Sequence, residues 1–187
     1  LKHKTQVFIS PHNDHICTRM EHVLHVSSVA MVMGRCLGLN IDLISAIAKG
    51  HDLGHAPFGH VGERALNEAL RGYHIKRAFM HEIHSLRVVD FLTGHGQGLN
   101  LTCEVRDGIV SHNGEKFEQE ISPDRGKDLA RLHEIRDRSH RPATLEGCLG
   151  RMADKVAYLG RDLEDAIDAK LIERNDIPEN IRKGLGD

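Results

Sequence analysis

The chain has 187 residues, with 25 Lys+Arg against 27 Asp+Glu for a formal net charge of -2, four cysteines and no tryptophan. That length can bury one sizeable core, and the near-neutral balance excludes a global electrostatic pull toward nucleic acid or an anionic membrane. No apolar run approaches the roughly 20 residues of a membrane span, no C-x-x-C pair marks a zinc ribbon or redox motif, and aromatics at 4% leave few stacking platforms for single-stranded nucleic acid.

The N-terminal "LKHKTQVF" lacks the apolar stretch of a signal peptide, so the expectation is a soluble, cytoplasmic protein with reduced thiols. Histidine is the outlier at 15 residues.

In chain order the first element is an amphipathic helix from Met20 to Leu37, on which Val23, Val26, Ala30, Met33 and Leu37 recur at spacings of three and four, with Gly38 as the stop. Asn40 or Asp42 can cap a second helix whose Ile44, Ile47 and His51 share one face, which turns His51 inward. Gly54, Pro57 and Gly59 break the chain before "HVGERALNEAL" resumes as a helix to about Leu70. Met80 to Leu92 is the next helix, with Ile83, Leu86 and Val89 as its buried row. Thr102 then caps another, along which Val105, Ile109 and His112 line one side.

Residues 113–142 are dense in charge and poor in apolar side chains, which predicts a partly helical, mobile connector outside the core. Finally Leu145, Leu149, Met152, Val156, Leu159, Leu163 and Ile167 mark a long helix, and Asp154, Tyr158 and Asp162 stack at spacings of four on its other side. Convincing alternating strands and internal repeats are absent. The fold class is therefore all-α, a helical bundle expected to form one domain over 1–187.

The span "IAKGHDLGHAPFGHVGERAL" gathers His51, Asp52, His55, His60 and Glu63 among four glycines and a proline. A divalent metal that activates water needs imidazole nitrogens and carboxylate oxygens held rigidly around an open coordination position. Adjacent His51 and Asp52 at a helix end can supply two such ligands, and the remainder must come from other helices.

The segments "LKHKTQVF", "TRMEHVLHV", "HDLGHAPFGHVGE", "FMHEIHSLRVV" and "MADKVAYLGRDLEDAI" together resemble the HD superfamily of metal-dependent phosphohydrolases. Within it the match is to the deoxynucleoside triphosphate triphosphohydrolases, or dGTPase-like proteins, and it spans nearly the whole chain. The resemblance implies an HD-domain bundle with a metal site between helices, and His22, His51, Asp52 and Asp154 as the metal ligands. It makes His60, Glu63 and His81 the catalytic groups, Arg19 and Lys155 phosphate contacts, and Tyr158, Asp162 and Gln6 the residues near the deoxyribose.

The implied cofactor is Mn²⁺ or Mg²⁺, with Fe, Ni, Co or Zn as further candidates, and the count of imidazoles leaves room for a second ion. The implied reaction is hydrolysis of a dNTP at the α-phosphorus to a deoxynucleoside and inorganic triphosphate, by a homo-oligomer. Family members carry further segments on both sides of this core, so the chain is expected to be part of a longer architecture. In "FMHEIHSLR", Met80, Glu82 and His84 stand where relatives often have other polar residues.

His25, His55, His84 and His112 are read as surface residues or supports behind the ligands. Two rivals accompany the main reading: another HD phosphohydrolase acting on nucleoside monophosphates or cyclic nucleotides, and a sensor that binds nucleotide without turnover. Single-stranded nucleic acid is a partner that the charge does not indicate.

Overall fold

Thr18 opens the first helix with a capping box: its hydroxyl accepts from Glu21 N–H, and the Glu21 carboxylate accepts from Thr18 N–H. The computed structural model describes residues 18–112, 120–179 and 181–182, with the side chains of Leu159, Arg161, Asp162 and Asp165 outside the description. Six α-helices follow: α1 (Arg19–Leu37), α2 (Ile41–Gly50), α3 (Gly59–Gly72), α4 (His81–Arg87), α5 (Cys103–Val110) and α6 (Leu145–Asp168). A π-helical turn extends α4 through Val88–Leu92, and no strand occurs among the described residues.

The predicted stops and caps correspond closely to the observed ones. Gly38 ends α1 at φ 67°, and the Asn40 side chain accepts from both Asp42 N–H and Leu43 N–H to start α2. Thr102 caps α5 as expected.

Two cores form. Val26 and Ala30 of α1, Ile44 and Ala48 of α2, and Leu149, Ala153 and Ala157 of α6 make the first. Leu86, Val89, Val105, Ile109 and Val110 make the second, joined by Leu132 and Ile135. The last two correct the expectation that 113–142 stays outside the core. Of its described part, these scattered apolar residues are buried, and Lys127 is anchored to the buried Asp107 and to Ser111 Oγ. Charge density masks such isolated anchors, because a pattern search looks for regular repeats.

A second difference concerns α6. The inward face is Leu149, Ala153 and Ala157, whereas Leu145, Met152 and Val156 are exposed. Small alanines let α1 approach, and that close packing decides which side turns inward. Leu37, at the end of the predicted α1 stripe, is also exposed.

The contact that matters most for the site is the crossing of α2 and α5. A Cβ on Gly50 would lie 2.5 Å from Ile109 Cδ1, and one on Gly108 would lie 2.4 Å from Ile47 Cδ1. Each helix thus presents a glycine to the other's isoleucine. The chain then leaves α2 at His51 and α5 at Ser111, bringing the His51 and His112 rings to 5.0 Å.

After α2, the tight turn at Gly54 lies against α4. Ser85 Oγ accepts from Gly54 N–H at 2.9 Å and donates to His51 O at 2.6 Å. A Cβ at Gly54 would sit 2.1 Å from Ser85 N and 2.4 Å from His84 C, both backbone atoms that cannot rotate aside. Gly54→Ala is therefore expected to destabilise the fold by at least about 3 kcal/mol, the upper end for overpacking, and thermal melting would show the lowered midpoint.

Candidate metal centre and catalytic pocket

His22 and Arg19 come from α1, His51 and Asp52 from the end of α2, His60 from α3, His81 from the first residue of α4, and Asp154 and Tyr158 from α6. Together with His55 and His112, they surround one cavity of about 120 Å³, which His51 adjoins. The fold thus converges side chains that are up to 139 positions apart in sequence, from Arg19 to Tyr158.

Three of the four expected metal ligands, His22, His51 and Asp154, come together, while Asp52 groups with His81 and His112. Ligand atoms of His22, His51 and Asp154 lie within 4.8 Å of one another. His22 Nε2 is 2.9 Å from Asp154 Oδ1, His51 Nε2 is 3.6 Å from the same oxygen, and Asp52 Oδ2 is 3.8 Å from His51 Nε2. His51 Nδ1–H donates to Ala48 O at 2.6 Å, which fixes the tautomer and aims the Nε2 lone pair at the carboxylates. That buried Nε2 has no hydrogen-bond partner among the described residues. An orphaned imidazole nitrogen facing two carboxylates is costly unless a cation sits there, so these residues fit a divalent metal.

The electrostatics agree. Burial disfavours the charged form of His51, but Asp52 and Asp154 outweigh it and raise its pKa above 6.5. Burial also opposes ionisation of Asp52 and Asp154. The facing histidines, with Arg19 beside Asp52, nonetheless hold both carboxyls below their ordinary values.

Asp52 has a second attachment, because Arg19 NH1 donates to its Oδ2. Arg19, expected at a phosphate, lines the cavity while gripping this carboxylate. Both are buried, so a desolvation cost opposes their attraction, and removing either partner would strand the other charge.

A second cluster holds His55, His60, Glu63 and His81, whose ligand-type atoms also lie within 4.8 Å of one another, and Asp52, His81 and His112 join it to the first. Glu63 Oε2 accepts from His81 Nδ1–H at 2.8 Å, which leaves His81 Nε2 as that ring's remaining nitrogen. The placement is built locally. Asn67, one turn after Glu63, accepts from Phe79 N–H at 2.6 Å and donates to Phe79 O at 2.9 Å, pinning the chain that leads into His81.

His55 stacks on His81 with ring centroids 4.3 Å apart. Burial and the Arg19 charge lower its pKa to about 3, and burial with the neighbouring His81 lowers that of His60. Desolvation opposes ionisation of Glu63, but His81 and Arg138 outweigh it and hold the carboxylate ionised. A neutral imidazole beside an ionised, histidine-bound carboxylate suits this cluster to proton transfer.

Of the remaining expected residues, Tyr158 faces the cavity with its ring 5.2 Å from His22. Lys155 is exposed and is not among the cavity-lining residues. Asp162 lies one turn beyond Tyr158 on α6 with its side chain outside the description, and Gln6 lies outside the described residues.

Two residues read as surface residues or supports prove to line the cavity, and one participant, Arg138, escaped the sequence reading. His55 and His112 line the cavity directly, and Arg138 reaches Glu63 from the charged connector. For His112 a signal existed in its register with Val105 and Ile109; for Arg138 none did.

Comparison with known proteins places these observations in a family. The HD domain family model matches residues 19–159. A deoxyguanosinetriphosphate triphosphohydrolase-like protein of Caldanaerobacter subterraneus subsp. tengcongensis is 43% identical over 187 residues, all of this chain and 47% of the relative. Proteins of the same description from Desulfatibacillum aliphaticivorans and Rickettsia felis are 44% and 40% identical, over 100% and 96% of this chain and 48% and 46% of their own lengths. The chain thus spans about half the length of the curated relatives it matches. No helix among the described residues is long and apolar enough to cross a membrane.

Two outcomes follow from the geometry. A proton on His51 Nε2 competes with any metal, so Mn²⁺ affinity measured by calorimetry should weaken as the pH falls through the raised His51 titration, and His51→Ala should lose at least about 100-fold in affinity.

Burial and the nearby His51 and His81 hold His112 neutral, with its pKa down to about 4. An unfolded His112 would take its proton near 6.5. Its contribution to stability is therefore full above that value, declines as the pH falls below it, and is gone below about 4. Metal-free protein should show melting temperature falling across that window, with a shallower fall in a folded His112→Gln variant.

Proposed function

The chain belongs to the HD domain family, and on that premise we propose that it is a metal-dependent phosphohydrolase converting a dGTP-like deoxynucleoside triphosphate to deoxynucleoside and inorganic triphosphate. One observation carries the reading: a metal-type donor set and a histidine oriented by a carboxylate border the same cavity. The relatives, described as deoxyguanosinetriphosphate triphosphohydrolase-like, favour the same substrate class.

In this reading His22, His51, Asp52 and Asp154 hold a divalent ion, Mn²⁺ or Mg²⁺, which would supply Lewis-acid polarisation of a phosphoryl oxygen and acidify a bound water. Imidazole nitrogens beside carboxylate oxygens suit Mn²⁺ better than Mg²⁺. Arg19 draws the phosphates in, while its bond to Asp52 keeps that carboxylate oriented.

His81, with Nδ1–H donated to Glu63, offers Nε2 to accept a proton from the attacking water or return one to the departing 5′ oxygen. Glu63 stabilises the imidazolium that forms. His60, held neutral, is the second proton carrier beside it. Tyr158 and Asp162 flank the sugar, with Gln6 near it and Lys155 toward the phosphates. A cytoplasmic homo-oligomer and a single HD unit over 1–187 belong to the same proposal.

The decisive experiment incubates the protein with Mn²⁺ and each dNTP and separates the products by ion-pair chromatography. Deoxynucleoside plus triphosphate is the expected result, and Asp154→Ala should reduce the rate at least about 100-fold. Monophosphate plus pyrophosphate would overturn the reaction assigned. Bound metal and nucleotide with no product over long incubation would mean a sensor instead.

A further inference from the structure

Arg138 lies in the connector between α5 and α6, and its guanidinium sits between two carboxylates. Its Nε donates to Glu82 Oε1 at 2.6 Å, and its NH2 donates to Glu63 Oε1 at 2.5 Å and, more weakly, to Glu82 Oε2 at 3.4 Å. Both carboxylates are buried, at 1% exposure for Glu82 and 6% for Glu63.

The second oxygens of these same groups converge on one atom. His81 Nδ1 is 2.8 Å from Glu63 Oε2 and 3.5 Å from Glu82 Oε2. Two acceptors therefore compete for a single N–H.

We propose that Arg138 is a positioning residue that selects Glu63 over Glu82 as the acceptor for His81 Nδ1–H, and so sets the direction in which His81 Nε2 faces the cavity. The physical reason begins with charge. Two buried carboxylates converging on one ring repel each other, and without a cation one of them would take up a proton or swing away.

Geometry then decides which cation can serve. The planar fork of arginine spans both carboxylates at once, one through Nε and the other through NH2, whereas the point charge of lysine cannot match both. With Glu82 engaged by the guanidinium, Glu63 keeps one oxygen for Arg138 and turns the other to His81. His55 and His60 group with Glu63 and His81, and Arg138 bonds the other oxygen of Glu63 together with Glu82.

The inference rests on the reading of His81 as a group that acts on substrate, but its structural content is testable without turnover. In the full chain labelled with ¹⁵N, histidine ring correlation spectra report the tautomer, with His81 assigned by comparison with His81→Gln. Wild type should show His81 protonated at Nδ1 with a hydrogen-bonded proton. Arg138→Ala should shift or broaden that signal, and Arg138→Lys should recover part of it.

In the dNTP assay the alanine variant should lose about 10- to 100-fold in kcat with KM within about threefold of wild type, since substrate contacts are untouched. If the alanine variant does not fold, Arg138→Met combined with Glu82→Met decides the matter. Removing the competing acceptor together with the cation leaves Glu63 as the partner of Nδ1, and the wild-type signal should return.

A folded Arg138→Ala protein with an unchanged His81 signal, or a double variant in which the wild-type hydrogen-bonded His81 signal does not return, would overturn the proposal. Absence of dNTP turnover in wild type would overturn the proposed function instead, while the His81 spectra would still decide this inference.

Discussion

The close crossing of α2 and α5 is the constraint on which the site depends. Gly50 against Ile109 and Gly108 against Ile47 bring the helices closer than any larger residue at either glycine would permit. Because α2 ends at Gly50 and α5 at Val110, that approach sets His51 beside His112. The isoleucines give the crossing its apolar burial and the glycines give it its proximity. The crossing thereby fixes His51, the member of the metal-type donor set that follows α2, while His22 and Asp154 come from α1 and α6.

Around that fixed point the charges alternate. Arg19 holds Asp52, Asp52 and Asp154 face His51, Glu63 holds His81, and Arg138 holds Glu63 and Glu82. Burial would drive most of these groups neutral if each stood alone. Paired as they are, the carboxylates remain ionised while His55 and His112 are kept neutral. The result is a cavity whose walls differ in chemistry, with carboxylate-backed imidazole nitrogens toward α6 and an oriented histidine with guanidinium support toward α3 and α4. The first kind of wall suits a cation and the second suits proton transfer.

Much of this was legible before any coordinates. Asn40, Thr102 and Gly38 announce helix ends through side-chain capping and left-handed backbone, which are local effects and survive in a sequence reading. His51 and Asp52 were recognisable from their place after an apolar helix face and before a glycine-rich turn. On α6 the hydrophobic pattern points to Met152 and Val156, whereas packing selects Ala153 and Ala157. Size at the contact, which a periodic pattern of apolar residues does not encode, made that choice.

The sequence by itself determined the all-helical architecture, the boundaries of its elements and the residue types able to bind a metal, since capping, periodicity and turn chemistry act over a few residues. Only the tertiary structure decided which histidines share a cavity. It brought in His55 and His112, and it turned the charged connector into the source of Arg138. Those outcomes depend on contacts between positions far apart in the chain, such as Arg138 with Glu63 and Glu82, where no local preference says which carboxylate a guanidinium will meet.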